Sequence, residues 1–138
     1  MKCITAYIDG ASRGNPGHAG VGVAIYDEEG NNICNVKKYI GKTTNNVAEY
    51  SAFIAALEEA EKLGVKQIKI FLDSELVCKQ FTGEYKTKDE TLKSLLAVIR
   101  DKAKNFERLE IENIPREKNK AADKLANIAV NIGESGGS

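Results

Sequence analysis

The chain has 138 residues, 42% of them hydrophobic, and its twenty Lys and Arg balance twenty Asp and Glu. That is enough apolar material to bury one core without metals or disulfides to hold it. Zero net charge excludes a protein that grips a polyanion through overall basicity, so any such site must be local. Cys3, Cys34 and Cys78 are odd in number, far apart and set in apolar segments with no C-x-x-C pair, which argues against a disulfide framework or zinc site and fits a reducing, cytoplasmic setting. The opening "MKCITAYIDG" lacks a signal-peptide core, and no apolar run approaches the roughly 18 residues that span a bilayer. A soluble intracellular protein without a membrane partner is expected.

Alternation in "KCITAYID" puts Ile4, Ala6 and Ile8 on one face of a first strand. Two more strands flank the turn signal Glu29-Gly30-Asn31 within residues 20–40, giving an antiparallel meander. From Asn46 the period becomes helical through Tyr50, Phe53, Ile54, Leu57, Ala60 and Leu63, until Gly64 stops it. Gln67 to Asp73 returns to period two, a short helix fits Ser74 to Phe81, and "GEYKTKDE" reads as a loop. Leu92, Leu95, Leu96, Ile99, Ala103 and Phe106 stripe a longer helix. A fifth strand fits Arg108 to Ile114, stopped by Pro115, and a last helix fits 120–132 with Ala122, Leu125, Ala126 and Ala129 inward. The order β-β-β-α-β-α-α-β-α predicts an α/β fold with a five-stranded mixed sheet, three antiparallel strands and then parallel ones, flanked by helices. Residues 1–132 form one domain on this reading, and 133–138 a flexible C-terminal tail.

Four carboxylates sit at the ends of these elements. Each has an ordinary explanation: Asp9 begins an Asp-Gly turn, Glu49 completes a capping box with Asn46, Asp73 caps the helix after its strand, and Asp123 is a solvated charge beside an apolar stripe. Together they point elsewhere, because Asp9 and Asp73 end strands that pair if parallel, while Glu49 opens the helix between them. Ligands collect at such strand ends. Clustered carboxylates repel and raise each other's pKa unless a cation intervenes. Oxygen donors without His or Cys favour Mg²⁺ or Mn²⁺ over zinc, which is the pattern of two-metal phosphodiester hydrolysis.

The segments "YIDGASRGNPG", "TTNNVAEY", "FLDSELV" and "NKAADKLAN", in this order and across nearly the whole chain, resemble the type 1 ribonuclease H family, in its short form without a hybrid-binding domain or basic protrusion. The resemblance implies a ribonuclease H-like fold and an endonuclease that cuts the RNA strand of an RNA–DNA hybrid, leaving 3′-hydroxyl and 5′-phosphate ends. It implies two Mg²⁺ or Mn²⁺ ions with substrate bound, Asp9 bridging them, Glu49 and Asp73 completing one site and Asp123 the other. Gly10, Asn15, Thr44, Asn45, Asn46 and Asn119 become substrate contacts, and Glu49 orients groups near the 2′-hydroxyl that separates RNA from DNA. The partner implied is the hybrid duplex, with no obligate protein partner, and a monomer is expected.

Two departures stand out. Many members carry a histidine in the loop before the last Asp, but "IPREKNKAAD" has none, and His18 falls at the start of the second strand. Arg116 is the expected electrostatic replacement, contacting phosphate rather than acting as a base, since Arg stays protonated. The loop 83–90 carries only Lys86 and Lys88 as cations, so binding should be salt-sensitive, with Lys118, Lys120 and Lys124 as further phosphate contacts. The competing expectations are a non-catalytic nucleic-acid-binding module of the same fold and a DNA-directed nuclease of the same superfamily.

Overall fold

The structure, a computed structural model, describes residues 1–136. Strands β1 (Cys3–Ser12), β2 (Gly17–Tyr26) and β3 (Asn32–Thr43) lead into helix α1 (Asn45–Leu63). Strand β4 (Gln67–Leu72), helices α2 (Glu75–Thr82) and α3 (Glu90–Ala103), strand β5 (Arg108–Asn113), a 3-10 turn at Arg116–Lys118 and helix α4 (Lys120–Glu134) complete the chain. The sheet order is β3-β2-β1-β4-β5, with β1–β2 and β2–β3 antiparallel and β1–β4 and β4–β5 parallel. The expected five-stranded mixed sheet is therefore the observed one.

Strand periodicity separates the two faces. Ile4, Ala6 and Ile8 of β1 and Val21, Val23 and Ile25 of β2 form one buried cluster with Tyr50, Phe53 and Leu57 of α1, each large side chain contributing about 1.5–3 kcal/mol on burial. The alternate residues of β2 face α4. A Cβ on Gly22 would stand 2.2 Å from the Ala122 carbonyl oxygen and 2.5 Å from the Ala126 amide, so α4 lies with its backbone directly on β2. Its facing positions, Ala122, Ala126 and Ala129, are correspondingly small and buried.

Four local expectations change. Strand β1 does not turn after Asp9; it stays paired to Ser12↔Ala19, and Gly10 serves close packing instead. The cap of α1 is Thr44, whose hydroxyl accepts from the Val47 amide at 3.2 Å, rather than Asn46, which is the second residue of the helix. Helix α3 ends at Ala103, before Phe106. Helix α4 continues through Gly133 and Glu134, residues expected in the tail; the last two positions of that tail, 137–138, lie outside the described residues. No helix among the described residues is long and apolar enough to cross a membrane.

Candidate active site

Parallel pairing of β1 and β4 brings their carboxyl ends side by side. Asp9 lies opposite Gly22, on the α4 side of the sheet, and Asp73 follows the last residue of β4. Glu49 reaches them from the first turns of α1. One oxygen from each of Asp9, Glu49 and Asp73 lies within 4.8 Å of the others. Asp123, on the first turn of α4, lines the same cleft of about 240 Å³ together with Asn45 and Arg116. The four sequence-predicted carboxylates thus share one cavity.

The ordinary explanations fail one by one. Glu49 closes no capping box: its Oε1 accepts from the Gly10 amide at 3.1 Å, and its Oε2 is buried without a hydrogen-bond partner. Asp73 caps nothing, because Ser74 does so through the Val77 amide at 3.2 Å. Asp9 and Glu49 are only 5% and 3% exposed. Burial first, then the adjoining Glu49 and Asp73 charges, push the Asp9 carboxyl up to about 10. Burial likewise raises Glu49, to about 7, against the lowering effect of hydrogen bonds from Asp9 and Gly10. Burial and mutual repulsion thus favour the protonated form of the Asp9–Glu49 pair in the metal-free protein.

These features fit a hard divalent cation. The donors are all carboxylate oxygens, and one of them, Glu49 Oε2, is an orphaned buried acceptor.

Asn119 occupies the cap position of α4 without capping it. Its Nδ2 donates to the Ile8 carbonyl at 2.8 Å and to Asp73 Oδ2 at 3.3 Å, tying α4 across β1 to the site while the residue stays 1% exposed. It orients Asp73 from inside the core and is not placed as a direct substrate contact. Asn119→Ala leaves a buried carbonyl unpaired and should lower stability by about 1–3 kcal/mol; an unchanged urea midpoint would contradict this.

The remaining predicted contacts divide. Asn45 is exposed and lines the cleft. Thr44 is engaged as a cap, Asn46 is half-buried within α1, and Asn15 is exposed on the β1–β2 loop. The Gly10 amide, expected to face substrate, is occupied by Glu49. Arg116 is close to Asp123, with Nη2 3.8 Å from Oδ1. His18 bonds Tyr39 through Nδ1 at 2.7 Å, away from the cleft residues. Arg13 and Asn127 also line the cleft without having been expected there; Asn127 Nδ2 donates to the Asp123 main-chain oxygen at 2.9 Å and to its carboxylate at 3.3 Å. Its position four residues after Asp123, one helical turn on, was the available signal.

A family model described as "Reverse transcriptase-like" matches residues 7–129. A ribonuclease HI of Halobacterium salinarum is 43% identical over 92% of this chain and 64% of its own length. The chain belongs to the ribonuclease H family, type 1. The crystal structure of the ribonuclease H1 from the same archaeon superposes with a TM-score of 0.91 at 43% identity, covering 94% of this chain and 98% of that one. A second ribonuclease H1, called LC11 and solved in complex with an RNA/DNA hybrid, gives 0.89 at 44% identity, covering 94% and 98%. Ribonuclease H domains also occur in longer proteins: this chain is 42% identical over 88% of its length to a bifunctional protein of Mycobacterium tuberculosis and spans 34% of it.

Proposed function

We propose that the protein is an endoribonuclease that hydrolyses the RNA strand of RNA–DNA hybrids, leaving 3′-hydroxyl and 5′-phosphate ends. The observation that carries this reading is the convergence of Asp9, Glu49, Asp73 and Asp123 in one cleft of a ribonuclease H fold. It is supported by the relative whose structure was solved with an RNA/DNA hybrid. Asp9, Glu49 and Asp73 would hold one ion and Asp9 with Asp123 a second. Two Mg²⁺ or Mn²⁺ ions bound there supply a water nucleophile at neutral pH and charge stabilisation on the leaving oxygen. The chain's own groups do the rest. Asp9, whose carboxyl is raised by burial and by its acidic neighbours, would be held as a carboxylate by a bound cation. Asn119 and Asn127 fix the directions of Asp73 and Asp123. Asn45 at the cleft, with Asn15, Thr44 and Asn46 around it, supplies short polar groups for sugars and base edges that position a duplex without reading much sequence. Glu49 would orient groups near the RNA 2′-hydroxyl, the group that separates RNA from DNA. Arg116, permanently charged and open to solvent beside Asp123, takes the place of the family's histidine by binding phosphate. The protein acts as a monomer in a reducing compartment, consistent with its three free cysteines.

The test is a substrate panel of labelled hybrid, duplex RNA, duplex DNA and single strands with Mg²⁺, Mn²⁺ or EDTA. Metal-dependent cutting confined to the RNA of the hybrid is the expected result. Cutting of DNA, or binding without any cutting, would replace this proposal with one of its two competitors. Arg116→Ala should lower turnover about tenfold, the loss of one charge-assisted contact of about 1.4 kcal/mol, with Arg116→Lys recovering part; undiminished turnover would remove Arg116 from the mechanism.

A further inference from the structure

Arg13 follows the last residue of β1 and lines the same cleft as the carboxylates. Among the described residues that line it, Arg13 and Arg116 are the cations. The Arg13 guanidinium pairs with Glu134, the last residue of α4. It also donates to the main-chain and side-chain oxygens of Asn127, both at 3.5 Å. A guanidinium only donates and a carboxylate only accepts, so the Asn127 amide must turn its oxygen to Arg13 and its nitrogen to Asp123. One amide thus couples the β1–β2 loop to the fourth carboxylate.

Nothing in this arrangement holds Arg13 against a better acceptor. Both side chains of the Arg13–Glu134 pair are 36% exposed, which places its contribution at about 0–1 kcal/mol, and bonds of 3.5 Å to Asn127 are at the outer limit of the interaction. Glu134 stands at the C-terminus of α4, where the helix dipole disfavours an anion. A phosphate diester, by contrast, offers two anionic oxygens in the plane a guanidinium matches with paired, charge-assisted bonds.

We propose that Arg13 is a substrate-phosphate ligand: it exchanges Glu134 for a phosphate of the strand lying over the Asp123 side of the cleft, while Asn127 keeps Asp123 in place. The proposal rests on the reading of the cleft as a nucleic-acid site given above. It is tested by fluorescence anisotropy of the full chain with a labelled RNA–DNA hybrid across a salt series, Ca²⁺ replacing Mg²⁺ so that binding is read without turnover. Arg13→Ala should bind about tenfold more weakly near 0.1 M salt and flatten the log–log salt slope by about 0.9, the signature of one lost phosphate contact. Arg13→Lys should keep the slope, and Glu134→Gln should bind as well as the parent or more tightly. Parental affinity and slope in Arg13→Ala would overturn the proposal, as would equal weakening by Glu134→Gln, which would make Arg13 a clamp on α4. A chain that cuts no hybrid yet binds it through Arg13 refutes the nuclease reading and supports this one; a chain that cuts hybrid with Arg13-independent binding refutes this one alone.

Discussion

Asp9→Asn is expected to abolish hydrolysis and, in EDTA, to raise the melting temperature. The two effects have one origin. Asp9 is the carboxylate placed among all the others, with Glu49 and Asp73 oxygens within 4.8 Å and Asp123 raising its pKa through a hydrogen bond. An amide there removes the carboxylate that both ions would share on the proposed mechanism, and the loss of several kcal/mol of transition-state stabilisation corresponds to about 10³-fold or more in rate. The same amide is neutral in both states, so folding no longer has to protonate a carboxyl that is ionised in the unfolded chain. The folded-state pKa of about 10 stands far above the ordinary 3.8, so the folded protein binds more protons than the unfolded chain between those limits. The contribution of Asp9 to stability is fully present below about pH 4 and is lost as pH rises toward 10. Asp9→Asn should therefore flatten the pH dependence of melting in EDTA and add about 1–2 kcal/mol near neutrality, or roughly 5 °C. Mg²⁺ should stabilise the parent with release of protons and leave the variant nearly unaffected. A parent melting curve that does not move between pH 5 and 9 in EDTA would contradict the buried-proton account.

Gly10→Ala is expected to damage both stability and turnover, although it adds one methyl group. The new Cβ would stand 2.2 Å from the Ala48 carbonyl carbon and 2.3 Å from the Glu49 amide. Those are backbone atoms, so no rotamer change relieves the contact, and either β1 or the start of α1 must move. Overpacking of this kind costs about 3 kcal/mol. Any retreat of α1 also stretches the 3.1 Å bond from the Gly10 amide to Glu49, taking a proposed metal ligand out of place. Gly41→Ala is the comparison: Gly41 has a φ of 84° with nothing within 4 Å of its Cβ position, so that substitution should cost about 1 kcal/mol of backbone strain and leave turnover intact. Equal losses in the two variants, read by urea unfolding and by rate, would remove the packing argument.

Where a residue's role follows from its own neighbours along the chain, the sequence sufficed. Alternation along β1 and β4 and the helical stripe from Tyr50 to Ala60 located the elements, and with them the strand-end positions of Asp9 and Asp73. "TTNN" offers four consecutive good capping residues, and only backbone geometry selects Thr44 among them. Asp-Gly is a strong local turn signal, whereas the real constraint on Gly10 is a helix that packs on it from 38 residues further on. Asn119 is the extreme case. Its bond to the Ile8 carbonyl joins residues 111 apart, and no local pattern distinguishes such a buried bridge from an N-cap.

The docking of α4 flat on Gly22 has a kinetic consequence. Asp123 reaches the cleft, and Asn119 reaches Asp73, only when that helix seats on β2, and the other three carboxylates come from residues 9, 49 and 73, so the candidate cation site is assembled from nearly the full length of the chain. No partly folded species that lacks α4 presents it whole, and each of these closures is a long loop of the kind that slows folding. Uptake during refolding of the ion that Asp123 would help to hold should accordingly follow, and never precede, recovery of the α4 contacts.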